Sequence, residues 1–207
     1  MTQSLFIGKN NILVEGSSDF LYLKRFSQQL QLRGKAGLDY RWTISIVGGI
    51  DKIPGYISLF QANLLHIAAL IDVQKGQKQK IDNLGKLLKP DHLLLTTNYL
   101  GNHKKEEADI EDVLGNKFYI SLINLSYRLT NQLAFDETKL QNADGRIVTE
   151  TEGYFRTLPA QVSEFDHFSP AQYLYTISDT KELVGFEEAL LTMENLIKDL
   201  NKLLNAP

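Results

Sequence analysis

The feature of this sequence that most constrains its fold is the alternation of apolar and amphipathic segments over the first hundred residues. Four short apolar runs predict buried strands, at residues 11–15, 42–47, 64–72 and 91–97. Helical spacing predicts helices between them, at residues 20–32, 51–63 and 76–88. Because strands that alternate with helices are typical of parallel sheets, we predict an α/β fold, with a parallel sheet flanked by helices on both faces.

The pattern changes after about residue 117, where helical segments dominate. We predict helices over residues 118–135, 148–158 and 179–204, separated by loops at Gly145, Pro159 and Pro170. The last helix carries one apolar stripe, which indicates core or an interface: Leu183, Phe186, Leu190, Met193, Leu196, Leu200 and Leu203. The sequence thus predicts an α/β domain over residues 1–115 and a helical C-terminal region over residues 116–207.

Composition excludes several classes of protein. The chain has 22 Lys and Arg against 25 Asp and Glu, a net charge of −3, so it is not a basic protein that coats nucleic acid through net charge alone. It has no cysteine, which excludes a disulfide scaffold, a thiolate zinc site and a cysteine nucleophile. The longest apolar stretch, residues 63–73, is too short to cross a bilayer, and no signal peptide is evident. We therefore expect a cytoplasmic protein with no membrane contact.

Acidic residues follow three of the predicted strands. Glu15 closes the first strand and Asp19 comes four residues later; Asp72 closes the third strand, and residues 106–112 form an acidic stretch after the fourth. Because the carboxyl ends of parallel strands meet at one edge of a sheet, we expect these groups to converge there. Carboxylates that converge repel one another, and their hard oxygens suit Mg²⁺ or Mn²⁺. The alternatives are structural: Asp19 as a helix cap, and residues 106–112 as a solvated loop or helix start.

Several segments together resemble a known family. The run NILVEGSSDFLYLKRFSQQL, at residues 11–30, resembles the first motif of the TOPRIM domains of OLD (overcoming lysogenization defect) family nucleases. Residues 42–60, 67–84 and 104–115 are similar to the following segments of that domain, including its aspartate motif and its third acidic motif. FDHFSPAQYL and FEEALLTMENLIKDLN, at residues 165–174 and 186–201, resemble its helical C-terminal region. The resemblance implies a TOPRIM-like fold, here without the ATPase domain that usually precedes it.

The resemblance also implies roles for individual residues. Glu15 and Asp72 correspond to catalytic residues that bind metal, and Asp19 corresponds to a ligand of the same ion as Glu15. Glu111 and Asp112 correspond to the third-motif acids that hold a second ion, and Asp109 is a nearby candidate.

One position departs from the family pattern. Gln74 stands where the second aspartate of the family's D-x-D motif is expected. An amide brings no charge, so metal affinity and activity are expected to be lower there.

Two functions remain open from the sequence. The first is a Mg²⁺- or Mn²⁺-dependent DNA endonuclease or nickase that hydrolyses phosphodiester bonds by a one- or two-metal mechanism. The second is a catalytically weak or inactive TOPRIM-like module that binds a partner ATPase or mediates oligomerisation. A topoisomerase or primase is a weaker third reading, because those activities need other domains. The resemblance implies DNA, an ATPase domain or subunit in trans, a helicase-like protein and a second copy of the chain as partners.

Overall fold

The described residues build a four-stranded parallel sheet covered by helices, which confirms the predicted fold class. The structure is a computed structural model that describes residues 8–101 and 105–204. The strands are β1 (Asn10–Val14), β2 (Trp42–Ile46), β3 (His66–Ile71) and β4 (Leu93–Leu95), and their order across the sheet is β2-β1-β3-β4. Each pair of neighbours is parallel, and Ile12 of β1 lies opposite both Ile44 of β2 and Ala68 of β3.

Eight helices are assigned in the described chain. They are α1 (Ser17–Leu32), α2 (Ile53–Ala62), α3 (Lys78–Leu87), α4 (Ile110–Leu114), α5 (Asn116–Tyr127), α6 (Ile147–Phe155), α7 (Phe168–Thr176) and α8 (Phe186–Leu203). Among them, none is long and apolar enough to cross a membrane.

The central strand β1 is apolar on both sides because each face of the sheet is covered. Ile12 and Val14 belong to a large buried cluster that includes α1, α5 and α8. Leu13, which points the opposite way, belongs to a smaller cluster with α2 and α3. This two-sided burial explains why the strand has an uninterrupted apolar run and not an alternating one.

The last strand is shorter than predicted, spanning Leu93–Leu95 in place of residues 91–97. Pro90 begins a turn of 3-10 helix, Pro90–His92, directly before the strand, and a second such turn, Thr96–Tyr99, directly follows it. The Thr96 hydroxyl donates a hydrogen bond to the Ala108 carbonyl at 2.6 Å, and its oxygen also lies 3.3 Å from the Ile71 carbonyl oxygen. The apolar run therefore extends beyond the part of the chain that pairs with β3.

The helical region differs from prediction mainly at helix ends. The predicted helix 118–135 is α5, which stops at Arg128, a residue with a left-handed φ of 54°. The predicted helix 179–204 begins only at Phe186, after Gly185 with a φ of 81°. Helix α4 begins within the predicted acidic stretch and ends just after it, and α7 was not predicted as a separate helix. The apolar stripe of α8 is buried along its whole length, as expected.

Residues on either side of position 115 share one core. The Phe26 ring of α1 stacks on Phe186 of α8, with centroids 5.6 Å apart, and meets Phe118 of α5 edge-on at 5.8 Å. The indole nitrogen of Trp42 in β2 donates to the Leu200 carbonyl of α8 at 3.2 Å. The helical region is thus packed directly onto the sheet-bearing part of the chain.

Candidate metal centre

A cavity of about 260 Å³ lies at the carboxyl ends of β1 and β3. Five carboxylates line it: Glu15, Asp19, Asp72, Asp109 and Glu111. They come from three separate stretches of chain, as the parallel topology requires. The cavity is also lined by Gln74, and by Gly16 and Ser18 at the start of α1. Four of the five residues predicted as metal ligands, all except Asp112, are therefore brought together.

Glu15 is held in place by backbone contacts on both sides. Its carbonyl accepts hydrogen bonds from the amides of Gly48, at 2.9 Å, and Gly49, at 3.2 Å. These two glycines follow β2 with φ values of 78° and 107°, a conformation that other residues rarely adopt. The Glu15 carboxylate accepts a hydrogen bond from the Asp72 amide at 3.2 Å. The ends of β1 and β3 are thus coupled through the glutamate itself.

Asp19 lies in the first turn of α1 and has two roles in the structure. Its Oδ2 accepts a hydrogen bond from the Gly16 amide at 2.8 Å, which caps the helix. The same side chain lines the cavity and is almost fully buried. Asp19 therefore is the helix cap that was expected as an alternative, and its carboxylate also remains available in the candidate site.

The acidic stretch reaches the cavity because it pairs with the chain just after β3. Val73 and Ala108 form an antiparallel bridge, in which each amide donates to the other carbonyl at 2.8 Å. This bridge places Asp109 and Glu111 beside Asp72 at the cavity wall. An isolated bridge of this kind leaves no periodic pattern in the sequence, so the bridge itself could not be predicted, although the sheet topology predicted the convergence.

Asp112 is placed differently from the other predicted ligands. Its Oδ1 accepts hydrogen bonds from Lys105 Nζ, at 2.7 Å, and from the Ile147 amide, at 3.0 Å. Its Oδ2 accepts from the Asp109 amide at 2.9 Å, and the side chain is fully buried without lining the cavity. Asp109, one turn earlier, occupies the cavity wall where the sequence suggested Asp112.

Burial and mutual repulsion act on the acids of the cavity. Burial raises the pKa of Asp19 to about 7, and the nearby Glu15 carboxylate adds to the rise. Burial also raises the pKa of Asp72 well above its usual value, with further contributions from the other four carboxylates. The pKa values of Glu15, Asp109 and Glu111 are raised in the same way, chiefly by burial. The cavity therefore concentrates more negative charge than it can hold without a proton or a cation.

Two cationic or ionisable side chains reach the cavity from the helical region. Arg146, just before α6, places Nη1 2.8 Å and 2.9 Å from the two carboxylate oxygens of Asp109. His167, just before α7, lines the cavity and places Nε2 2.7 Å from Glu152. Neither was singled out from the sequence. Arg146 lies outside the quoted segments, and His167 lies in the segment FDHFSPAQYL but was given no role there. Both lie far along the chain from the strand ends. The one available signal is that each directly precedes a helical segment.

Of the Lys and Arg side chains in the described residues, only Arg146 lines the cavity. Lys105, which precedes the acidic stretch, is buried against Asp112. Lys75 is exposed and is not among the cavity-lining residues. Four other basic residues are engaged away from the cavity. Arg25 donates a hydrogen bond to the Ile177 carbonyl. The other three form ion pairs with carboxylates: Arg33, Lys35 and Arg41.

The donor set fits a hard divalent cation. Five carboxylates and the Gln74 amide present oxygen atoms to one buried space, and their raised pKa values reflect a charge excess that a cation would offset. Within residues 8–101 and 105–204, no group of three or more His, Asp or Glu side chains is already arranged to hold an ion. Binding would therefore require side chains to rotate towards one another. Gln74 would also have to give up its present contact, in which its Oε1 accepts a hydrogen bond from Gln77 Nε2 at 3.2 Å.

Comparison with known proteins supports the fold. No protein-family model and no curated protein matches the chain. It is similar to a solved structure of the C-terminal region of the OLD protein from Xanthomonas campestris pv. campestris, with a TM-score of 0.50 and 14% identity over 94% of this chain and 98% of that one. A second structure of the same region has a TM-score of 0.46 and 15% identity, over 97% and 99% of the two chains. At this level of identity, the first likeness shows a shared fold.

Proposed function

We propose that this chain is a divalent-metal-dependent nuclease that nicks or cleaves DNA. The observation that carries the proposal is the convergence of five carboxylates, from three separate segments, on one cavity at the edge of a parallel sheet. The fold shared with the C-terminal region of an OLD protein agrees with this reading. The proposed ligands of Mg²⁺ or Mn²⁺ are Glu15, Asp19, Asp72 and Glu111, with Asp109 in place of Asp112.

Bound divalent ions would supply a Lewis acid for the phosphodiester and an activated water as nucleophile. The residues of the chain would hold and orient the reactants. Glu15, whose carboxylate is fixed between β1 and β3 by the Asp72 amide, is the proposed acceptor of the proton from the attacking water. The 16-residue helix α1 begins at the cavity wall, and its positive end favours a substrate phosphate.

Arg146 is the proposed contact for a phosphate oxygen. Its guanidinium is held by Asp109 at the cavity wall, where it carries the positive charge that the acidic lining lacks. Guanidinium groups match the geometry of phosphate oxygens, and this charge is retained at any physiological pH. If the Asp109 carboxylate rotates to bind a divalent cation, it would break its contact with Arg146 and leave the guanidinium free to contact the substrate. The chain can thus bind DNA locally despite a net charge of −3.

The proposal is tested with purified protein, supercoiled plasmid and Mn²⁺. We expect conversion of the supercoiled form to nicked circles, and loss of this conversion in Asp72→Asn, which keeps the size of the side chain and removes its charge. Asp82→Asn, at an exposed position on α3, is the matched control and should nick like the wild type. Absence of nicking by the wild type at every metal concentration, or equal nicking by Asp72→Asn, would contradict the proposal. Labelled RNA as a parallel substrate tests the choice of DNA.

Two observations favour a second function. Gln74 brings an uncharged amide to the cavity, and no ready three-ligand group is found in the described parts of the chain. The alternative is a catalytically weak or inactive module that binds an ATPase domain or subunit in trans, with or without a helicase-like protein, or that forms a homodimer. Titration calorimetry with Mn²⁺ separates the two, because a folded chain that binds no divalent ion supports the module and excludes the metal centre.

A further inference from the structure

Two tyrosine hydroxyls are buried beside the acidic cavity without a hydrogen-bond partner. Tyr22 lies three residues after Asp19 on the same face of α1, and Tyr119 lies in the first half of α5, just beyond α4 with Glu111. Both side chains are fully buried. Neither hydroxyl has a partner within the described chain. Since nearly all buried polar groups are paired in folded proteins, two neighbouring exceptions require an explanation.

Both hydroxyls lie within electrostatic reach of the same carboxylate. Burial raises the pKa of Tyr22 well above its usual value, and the charges of Glu111 and then Asp19 raise it further. Burial raises the pKa of Tyr119 as well, followed by the influence of Tyr22 and of Glu111. Glu111 is therefore the group common to both, and Tyr22 and Tyr119 are also close to each other.

We propose that Tyr22 and Tyr119 are positioning residues that donate hydrogen bonds to Glu111 when the cavity holds a divalent ion. The inference rests on the proposed metal centre and names two of its supporting groups. A carboxylate offers more lone pairs than one ion uses, and donors behind it commonly fix its orientation. A buried phenol is suited to this role because it donates a proton without bringing a charge. The two hydroxyls are then unpaired only in the metal-free protein, in which the Glu111 carboxylate has not rotated to bind a divalent ion.

The experiment measures Mn²⁺ affinity and metal-free stability in the same variants. Tyr22→Phe, Tyr119→Phe and the double substitution are titrated with Mn²⁺ by calorimetry, and their thermal midpoints are recorded in EDTA. Removing an unpaired buried hydroxyl should leave the metal-free midpoint unchanged or higher. Loss of an outer-shell donor should weaken Mn²⁺ binding by about tenfold to a hundredfold. The double substitution should weaken binding by at least as much as either single one.

Tyr99→Phe is the matched control. Its hydroxyl is 3.1 Å from Asp199 Oδ2, on α8, and it does not line the cavity. The same chemical change should lower the metal-free midpoint or leave it unchanged, and Mn²⁺ affinity should not change. The control thus separates the effect of deleting any tyrosine hydroxyl from the effect of deleting these two.

Three results would overturn the inference. If the wild type binds Mn²⁺ and both Phe variants bind it with the same affinity, the inference about the tyrosines is wrong, but the proposed function is unaffected. A lower metal-free midpoint with unchanged affinity assigns the hydroxyls a structural role. A folded wild-type chain that binds no Mn²⁺ overturns the proposed function, and this inference with it.

Discussion

The charge excess of the cavity predicts that Asp19 destabilises the metal-free protein at neutral pH. Asp19→Asn removes the charge, and its amide oxygen can still accept the hydrogen bond that caps α1, now made by the Gly16 amide at 2.8 Å. The substitution therefore separates the electrostatic cost of the carboxylate from its structural contribution. We expect the variant to be more stable than the wild type at pH 8 in EDTA.

The magnitude follows from the pKa of Asp19, which rises from its ordinary 3.8 to about 7 on folding. Because the folded state keeps the proton longer than the unfolded state, this carboxyl contributes full stability below about pH 4 and loses that contribution as pH rises to about 7. Each pKa unit corresponds to about 1.4 kcal/mol, so the cost at pH 8 is at most about 4 kcal/mol. The neighbouring carboxylates act in the same direction, so Asp19→Asn should still lose some stability as pH rises, though less than the wild type.

The assay is equilibrium urea unfolding between pH 5 and pH 8. In EDTA, the free energy of unfolding of the wild type should fall with rising pH more steeply than that of Asp19→Asn. Asp82→Asn should follow the wild type. Mn²⁺ at pH 8 should stabilise the wild type more than Asp19→Asn, because an ion that binds only the folded state adds to its stability. Parallel pH curves for the wild type and Asp19→Asn, or equal stabilisation of both by Mn²⁺, would refute the reasoning.

Two further substitutions test the surroundings of the cavity. Lys105→Met leaves the buried Asp112 carboxylate without its cation, so the free energy of unfolding in urea titrations should fall by about 3–5 kcal/mol. An unchanged free energy of unfolding would show that the ion pair is dispensable. Gln74→Asp adds a negative charge to the cavity wall, so Mn²⁺ binding measured by calorimetry should become tighter and the metal-free protein should become less stable. Weaker Mn²⁺ binding would mean that position 74 does not face the ion.

The sheet could be predicted because its strands are short apolar runs, and three of the four are closed by a glycine or a carboxylate: β1, β2 and β3. Helix ends were predicted less well, since they depend on backbone conformation that apolar spacing does not encode. Residues 179–185 continue the polar and apolar pattern of α8, but the left-handed conformation of Gly185 starts the helix later. Arg128 similarly ends α5 before its apolar pattern runs out.

The candidate site was predictable only in part. Carboxylates at strand ends are marked by the strands themselves, so Glu15 and Asp72 could be placed from sequence. The choice between Asp109 and Asp112 depends on the phase of the short helix α4 and on the ion pair with Lys105, which is a tertiary contact. Arg146 and His167 reach the cavity through the packing of the helical region. This is a tertiary arrangement that the residues around them do not predict, even though His167 lies in the segment FDHFSPAQYL.

The stacking of Phe26 on Phe186 has a consequence for biosynthesis. The first helix leaves the ribosome with its apolar side uncovered, and its covering is complete only when residues 186–203 have been translated. A nascent chain, or a proteolytic remnant without α8, would therefore lack the support that keeps α1 and its acidic first turn in position. On the proposed function, the ability to cut nucleic acid would therefore depend on residues 186–203 as well as on the residues that line the cavity.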